Sequence, residues 1–286
     1  MKILITGSNG QLGRELSLQL REKKIDFAAY DVPELDITNK AETEAIIKKE
    51  NPTIILNCGA LTNVDGCETN RDLAMAVNAL GPQNIAEIAR DMDIKLVQVS
   101  TDYVFDGDGI VEDGQKRPYI ESDPVDPKTV YGESKAAGEK AVMDIAPKYF
   151  IIRTAWLYGD GNNFVKTMLD LASKNPKLTV VNDQVGSPTS TVDLAKAIIN
   201  LMQTENYGIY HGTCQGQCSW YDFACEIFRL SGIDIAVEAV TSEQFVRPAP
   251  RPKFSVLENK GLAGLGLDTF RDWHEALDEY LKKLSN

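Results

Sequence analysis

The sequence predicts a doubly wound α/β fold, a parallel sheet covered by helices on both faces, with a smaller lobe attached. Three observations carry that expectation. Short β-branched runs alternate with longer amphipathic runs through the first half of the chain. A glycine triplet stands directly between the first strand and the first helix. After about Arg153 the rhythm changes, and helical segments outnumber strands.

Lys2–Thr6 reads as an apolar first strand, and residues 11–23 read as a helix with Leu12, Leu16 and Leu20 on one face. A second strand covers 27–30. Residues 39–50 carry Ala41, Ala45 and Ile46 in helical register and stop near Pro52. The spacing then predicts a strand at 53–57, one long alanine-rich helix at 72–91, a strand at 95–100, a helix at 132–144 and a strand at Tyr149–Thr154. Near-continuous apolar strands imply a sheet buried on both faces. Residues 1–152 are therefore read as a dinucleotide-binding domain. Residues 153–286 are read mainly as a smaller α/β substrate lobe, with helices at 164–173, 191–202, Trp220–Ser231 and 269–284 and strands at 178–181 and Gly208–His211. Some segments of this half, 178–181 in particular, are expected to return to the main sheet.

Composition narrows the class. Of 286 residues 43% are hydrophobic and 25% charged, which supports a packed core. The net charge of −12, with no basic run longer than two residues, argues against nucleic acid or an anionic membrane as partner. No stretch approaches the roughly 20 apolar residues of a membrane span. The opening Met-Lys-Ile-Leu-Ile-Thr-Gly runs straight into the glycine motif without a long apolar region, so it is read as a buried strand of a cytoplasmic protein. Five cysteines in a chain of this length do not suggest a disulfide framework. His211, Cys214 and Cys218 match no common zinc spacing, and no metal is expected.

The glycine motif is Gly7-Ser8-Asn9-Gly10-Gln11-Leu12-Gly13. Gly7 permits a tight turn, Gly10 lets the backbone approach a pyrophosphate, and Gly13 allows close packing of helix on sheet. The helix N-terminus then stabilises the phosphate charge. Asp31, 18 residues past Gly13, can accept hydrogen bonds from an adenosine ribose, whereas Arg14 can hold a 2′-phosphate. NADPH and NADH both stay open as cofactor. Asp36-Ile37 and Gly59-Ala60-Leu61-Thr62 follow later strands, where they would line the adenine and the middle of the cofactor.

Tyr131-Gly132-Glu133-Ser134-Lys135 places a phenol and an ammonium on one helical face. The lysine charge is expected to lower the tyrosine pKa from roughly 10 toward neutrality, so that Tyr131 can exchange a proton with a carbonyl or alcohol. Lys135 can also anchor the nicotinamide ribose. Thr101, in Ser100-Thr101-Asp102-Tyr103 at the end of a strand, can hydrogen-bond the same substrate oxygen.

With these residues assembled, the chain resembles the extended short-chain dehydrogenase/reductase superfamily and, within it, the dTDP-4-dehydrorhamnose reductase family. The likeness runs almost end to end. It includes Gly-x-x-Gly-Gln-Leu-Gly at 7–13, Leu-Asp-Ile-Thr at 35–38 and Asn-Cys-Gly-Ala-x-Thr-x-Val-Asp at 57–65. Ser-Thr-Asp-Tyr-Val-Phe-Asp-Gly at 100–107 and Tyr-Gly-x-Ser-Lys-x-x-Gly-Glu at 131–139 follow. The second half adds Arg-Thr-Ala-Trp-Leu-Tyr-Gly at 153–159, Asn-Asn-Phe at 162–164, Asn-Asp-Gln-x-Gly-x-Pro-Thr at 182–189 and Arg-Pro at 251–252. The resemblance implies a Rossmann-type fold and a Thr101/Tyr131/Lys135 triad. A hydride from NADPH or NADH would pass to C4 of dTDP-4-dehydro-L-rhamnose, with Tyr131 as proton donor. Cofactor contacts would come from Gly7, Asn9, Gly10, Gln11, Leu12, Gly13, Arg14, Asp31, Asp36, Ile37, Gly59, Ala60, Thr62, Tyr131 and Lys135. The nucleotide sugar would meet Thr101, Asp102, Trp156 and, at its diphosphate, Arg251. Some family members form a homodimer through a metal held by glutamates. Glu15 is present here, but Val192 stands where those members carry an acid, so a homodimer of that kind stays open.

Three other readings share this pattern. A 4,6-dehydratase follows its catalytic threonine with an Asp-Glu pair, and here Asp102 precedes Tyr103. A nucleotide-sugar 4-epimerase shares the triad but differs in its usual strand-end sequence. A non-catalytic, reductase-like regulatory subunit would not need the intact Thr101, Tyr131 and Lys135.

Overall fold

The computed structural model describes residues 1–285. Five strands of the first half lie parallel in one sheet: β1 (Lys2–Thr6), β2 (Asp26–Tyr30), β3 (Ile54–Asn57), β4 (Lys95–Thr101) and β5 (Tyr149–Thr154). The second half supplies β6 (Lys177–Val181), β7 (Gly208–His211) and β8 (Ala236–Val240), of which β7 joins that sheet. The order across it is β7-β5-β4-β3-β1-β2. β2 pairs on one side of β1 and β3 on the other. The direction of winding therefore reverses at β1, and a crevice opens beyond the carboxyl ends of β1 and β3.

Alternation within each strand explains the apolar runs. Ile3, Ile5, Leu56, Val97 and Ile152 point to one face and Leu4, Ile55, Leu96 and Ile151 to the other, so both pleat directions are buried. The first face is covered by α1 (Gln11–Glu22), through Leu12, Leu16 and Leu20 at every fourth position, together with a helix from the second half. The second face is covered by α2 (Lys40–Glu50), α3 (Gly81–Asp91) and α4 (Val130–Ile145), through Ile47, Ile85, Ile88 and Val142. The other long helices are α5 (Phe164–Lys174), α6 (Thr191–Leu201), which lies against α1, α7 (Trp220–Ser231) and α8 (Trp273–Leu284). No described helix is long and apolar enough to cross a membrane.

Three features differ from the sequence-based expectation. The long helix expected at 72–91 divides into an α segment at Arg71–Met75, a π turn at Ala76–Leu80 and α3. Pro82, which cannot donate a backbone hydrogen bond, stands just past that turn. β6 does not enter the main sheet but pairs in parallel with β8 as a separate ribbon. A boundary after 152 falls within β5, which runs to Thr154, while α6 and β7 pack onto the main body.

A buried ion pair locks α4 to β5. Arg153 donates from Nε and Nη2 to the two oxygens of Glu139 at 2.9 and 2.7 Å, and both side chains are almost wholly buried. The guanidinium also lies over the Phe105 ring, 5.0 Å from its centroid. His211 at the end of β7 is fully buried beside this pair, with Nδ1 3.2 Å from the Tyr119 carbonyl oxygen. Burial first, and then the Arg153 charge, push its pKa down to about 3. The folded chain therefore keeps His211 neutral where the unfolded chain, titrating near 6.5, takes up a proton. The stability this group contributes is present above 6.5 and is lost as pH falls toward 3. Urea midpoints at about pH 7 and about pH 5 should differ less in His211→Gln than in the wild type. Equal differences would remove His211 from the acid response.

Candidate active site

The crevice beyond β1 and β3 is a cavity of about 920 Å³. Gly7 enters it at φ +65°, and a Cβ there would lie 2.5 Å from Gly59 N. A Cβ at Gly13 would lie 2.4 Å from Gly7 O. A side chain at either position would strike backbone, so these glycines let the turn pack tightly against the loop after β3 and against the start of α1, whose N-terminus opens on the cavity. Gly7, Gly10, Gln11, Leu12, Gly13, Ala60 and Thr62 all line the cavity.

Six expected cofactor residues stand behind this lining or outside it. Asp31 accepts backbone N–H bonds from Asn9 and Val32, both at 2.8 Å, and so shapes the glycine turn. Arg14 is exposed and lies 3.3 Å from Asp160. Asp36 closes a local turn by accepting from the backbone and hydroxyl of Thr38. Ile37 is buried against Gly59 and Gly81, where it wedges the loop after β3 against the start of α3.

The chemical end of the cavity lies where β4 meets α4. The Thr129 side chain caps α4 by accepting from Gly132 N at 3.0 Å, so the helix starts early enough to put Tyr131 in its first turn. Tyr131, Lys135, Thr101 and Asp102 come together here, each less than a tenth exposed. Thr101 donates to Asp102 Oδ1 at 2.8 Å, and its hydroxyl also bonds the Tyr131 phenol. Lys135 Nζ donates to the Val99 carbonyl oxygen at 2.7 Å.

The titration behaviour corrects one expectation. Burial pushes the Tyr131 phenol above its ordinary range, although the Thr101 hydrogen bond favours the phenolate. Lys135 does not lower it, because the ammonium is turned to Val99 O and is itself desolvated. Burial brings Lys135 down to about 8, against the opposing charge of Glu139 one turn on. Burial likewise raises Asp102 to about 6, against the hydrogen bond from Thr101. In this state Tyr131 is a protonated acid and therefore ready to donate.

The second half closes the cavity with aromatic and cationic side chains. Trp156 has φ +48°, a region that L side chains seldom adopt, and its indole covers Gly186, where a Cβ would lie 2.4 Å from Trp156 Cε2. It stacks on Trp220, with ring centroids 3.5 Å apart and planes inclined by 6°. Arg251 pairs with Asp65 at 2.8 Å across the mouth of the cavity. Trp220 and Asp65 were not expected at the site. Asp65 sits in the 57–65 string, yet nothing in that string names its partner 186 residues away.

Asn78 is a third unexpected residue. It lies in the π turn, buried, and grips the loop after β3 from both sides. Its Oδ1 accepts from Leu61 N at 2.8 Å, and its Nδ2 donates to Leu61 O and to Ser134 Oγ, both at 3.0 Å. Ser134 in turn donates to Tyr131 O at 2.8 Å. One amide thus ties the loop after β3 to α4. Asn78→Ala removes the partner of two part-buried backbone groups of Leu61, at a cost of about 1 kcal/mol each. Dinucleotide affinity, measured by fluorescence titration, should fall on the order of ten-fold. Unchanged affinity would reduce Asn78 to a core amide.

The family model described as RmlD substrate binding domain matches residues 1–286. A dTDP-4-dehydrorhamnose reductase from Streptomyces griseus is 43% identical over 284 residues, covering 96% of this chain and 91% of its own. The crystal structure of a dTDP-4-dehydrorhamnose reductase from Clostridium acetobutylicum shares 51% identity, with a TM-score of 0.96 over the full length of both chains. Another from Bacillus anthracis, solved in complex with NADP, shares 41% identity with a TM-score of 0.93 over 99% of each chain. Read with the glycine cradle and the buried Thr101/Tyr131/Lys135 cluster, these matches show that the chain belongs to the dTDP-4-dehydrorhamnose reductase family, matched here over its whole length by the RmlD substrate binding domain model.

Proposed function

We propose that the chain is an NAD(P)-dependent oxidoreductase that reduces the C4 ketone of dTDP-4-dehydro-L-rhamnose to dTDP-L-rhamnose. The observation that carries this reading is the burial of Thr101, Tyr131 and Lys135 in the same cavity as the Gly7–Gly13 cradle. The cradle fits a nicotinamide dinucleotide, because Gly7 and Gly13, where a Cβ would strike backbone, let the turn close tightly and leave the α1 N-terminus facing the cavity. Gly7, Gly10, Gln11, Leu12 and Gly13 would hold its pyrophosphate, Ala60 and Thr62 its middle, and Lys135 its ribose. That cofactor supplies the hydride when bound.

The chain supplies the proton and the orientation. Tyr131 holds its phenolic proton at the cavity wall and gives it to the oxygen at C4 as negative charge develops there. The Thr101 hydroxyl bonds the phenol and steadies the phenolate that remains. Asp102 takes the Thr101 hydrogen when Tyr131 does not, and its buried Oδ2 has no protein partner, which leaves an acceptor for a sugar hydroxyl. Trp156 and Trp220 form an apolar wall that excludes water from the reacting centre. Arg14 is the exposed cation nearest the glycine turn, and the Asp31 oxygens already hold backbone N–H groups, an arrangement that suits NADPH. The five free thiols suit work in the cytoplasm.

Loss of nicotinamide absorbance on mixing the chain with dTDP-4-dehydro-L-rhamnose and either NADPH or NADH tests the reading. No loss with either would sink it. Tyr131→Phe should lower turnover by about 10²–10⁴-fold while dinucleotide binding persists.

A further inference from the structure

The outer end of the cavity carries charge that the reduction does not use. Of the residues lining the cavity, Asp65, Asp102, Lys135, Arg247 and Arg251 bear full charges. Asp102 and Lys135 belong to the chemical end. The other three stand at the mouth. Arg251 is engaged there on two sides, by Asp65 Oδ2 at 2.8 Å and by the Ala249 carbonyl oxygen at 3.0 Å. Asp65 also accepts from Ala249 N at 3.2 Å. Burial opposes ionisation of Asp65, but the hydrogen bonds and charge of Arg251, helped by Arg247, hold its carboxyl below the ordinary range. Arg251 and Asp65 therefore cancel as charges, and Arg251 contributes aimed N–H groups rather than net attraction.

Arg247 is different. Among the described residues it has no carboxylate within ion-pair distance, and its guanidinium lies 5.0 Å from the centroid of the Phe245 ring, which also lines the cavity. It stands in Arg247-Pro248-Ala249-Pro250-Arg251-Pro252, where two prolines restrict the backbone between the two arginines and a third follows Arg251. A chain of net charge −12 repels a nucleoside diphosphate unless a local cation offsets the field. Among the described residues, Arg247 is the cation at the mouth that is held in no ion pair, Asp65 being bonded to Arg251.

We propose that Arg247 is a second diphosphate-binding residue, which draws in and holds the nucleotide diphosphate while Asp65 positions Arg251 to bond it. The assignment rests on the nucleotide-sugar reading of the site. Planar guanidinium groups suit phosphate oxygens, and the Phe245 face holds the Arg247 plane without using its N–H groups.

Calorimetric titration of the full chain with NADP bound, using dTDP, deoxythymidine and inorganic pyrophosphate as probes, tests the assignment. Arg247→Gln should weaken dTDP and pyrophosphate on the order of ten-fold, leave deoxythymidine unchanged and flatten the salt dependence of dTDP binding. Arg247→Lys should recover part of the loss. Wild-type affinity for dTDP in Arg247→Gln at low salt overturns the assignment and leaves a solvated surface arginine. A wild type that binds pyrophosphate but gains nothing from thymidine, with pyrophosphate binding lost in Arg247→Gln, keeps Arg247 and overturns the thymidine-nucleotide reading. A wild type that binds neither dTDP nor pyrophosphate overturns both.

Discussion

The bidentate contact between Arg153 and Glu139 is the constraint from which the site is built. Tyr131, Lys135 and Glu139 lie four apart along α4 and share one face. Pinning Glu139 to β5 therefore sets the rotation of the helix and aims the other two at the end of β4. Two charges almost wholly removed from water are costly to bury, and losing either partner would leave the other uncompensated, at about 3–5 kcal/mol. Directional hydrogen bonds fix an angle in a way that apolar packing does not. The same pair sits beside His211 and over Phe105, so the edge strand β7 and the turn after β4 take their positions from it as well.

What could be read from the sequence was local. The glycine turn, the 131/135 spacing and the strand-end Thr101 each follow from a few neighbouring residues, because tight turns and helical faces repeat over short spans. Leu12, Leu16 and Leu20 announced a buried stripe for the same reason. Elements that depend on distant partners were not legible. The π turn at Ala76–Leu80 accompanies the grip of Asn78 on Leu61, a partner 17 residues away that the alanine-rich pattern does not show. β6 has the composition of a sheet strand, yet it pairs with β8, and pairing partners leave no trace in periodicity.

The electrostatic expectation at the site failed for an instructive reason. A lysine four residues from a tyrosine favours the phenolate only if the ammonium faces it and stays charged. Here both groups are buried, and desolvation outweighs their mutual influence. Spacing along the helix therefore sets who is near and not which way the proton lies. Asp31 teaches a similar lesson. Its position suggested a ribose contact, and its carboxylate is already committed to the backbone of the turn it was expected to face across.

The stacked indoles of Trp156 and Trp220 have a consequence outside catalysis. The chain has three tryptophans, and two of them form this one pair in the cavity wall. Two of the three indole absorbers of the protein therefore stand at the cavity wall, face to face at a distance where their transitions couple. A near-ultraviolet circular dichroism band from that pair reports on the geometry of the wall itself, without a label.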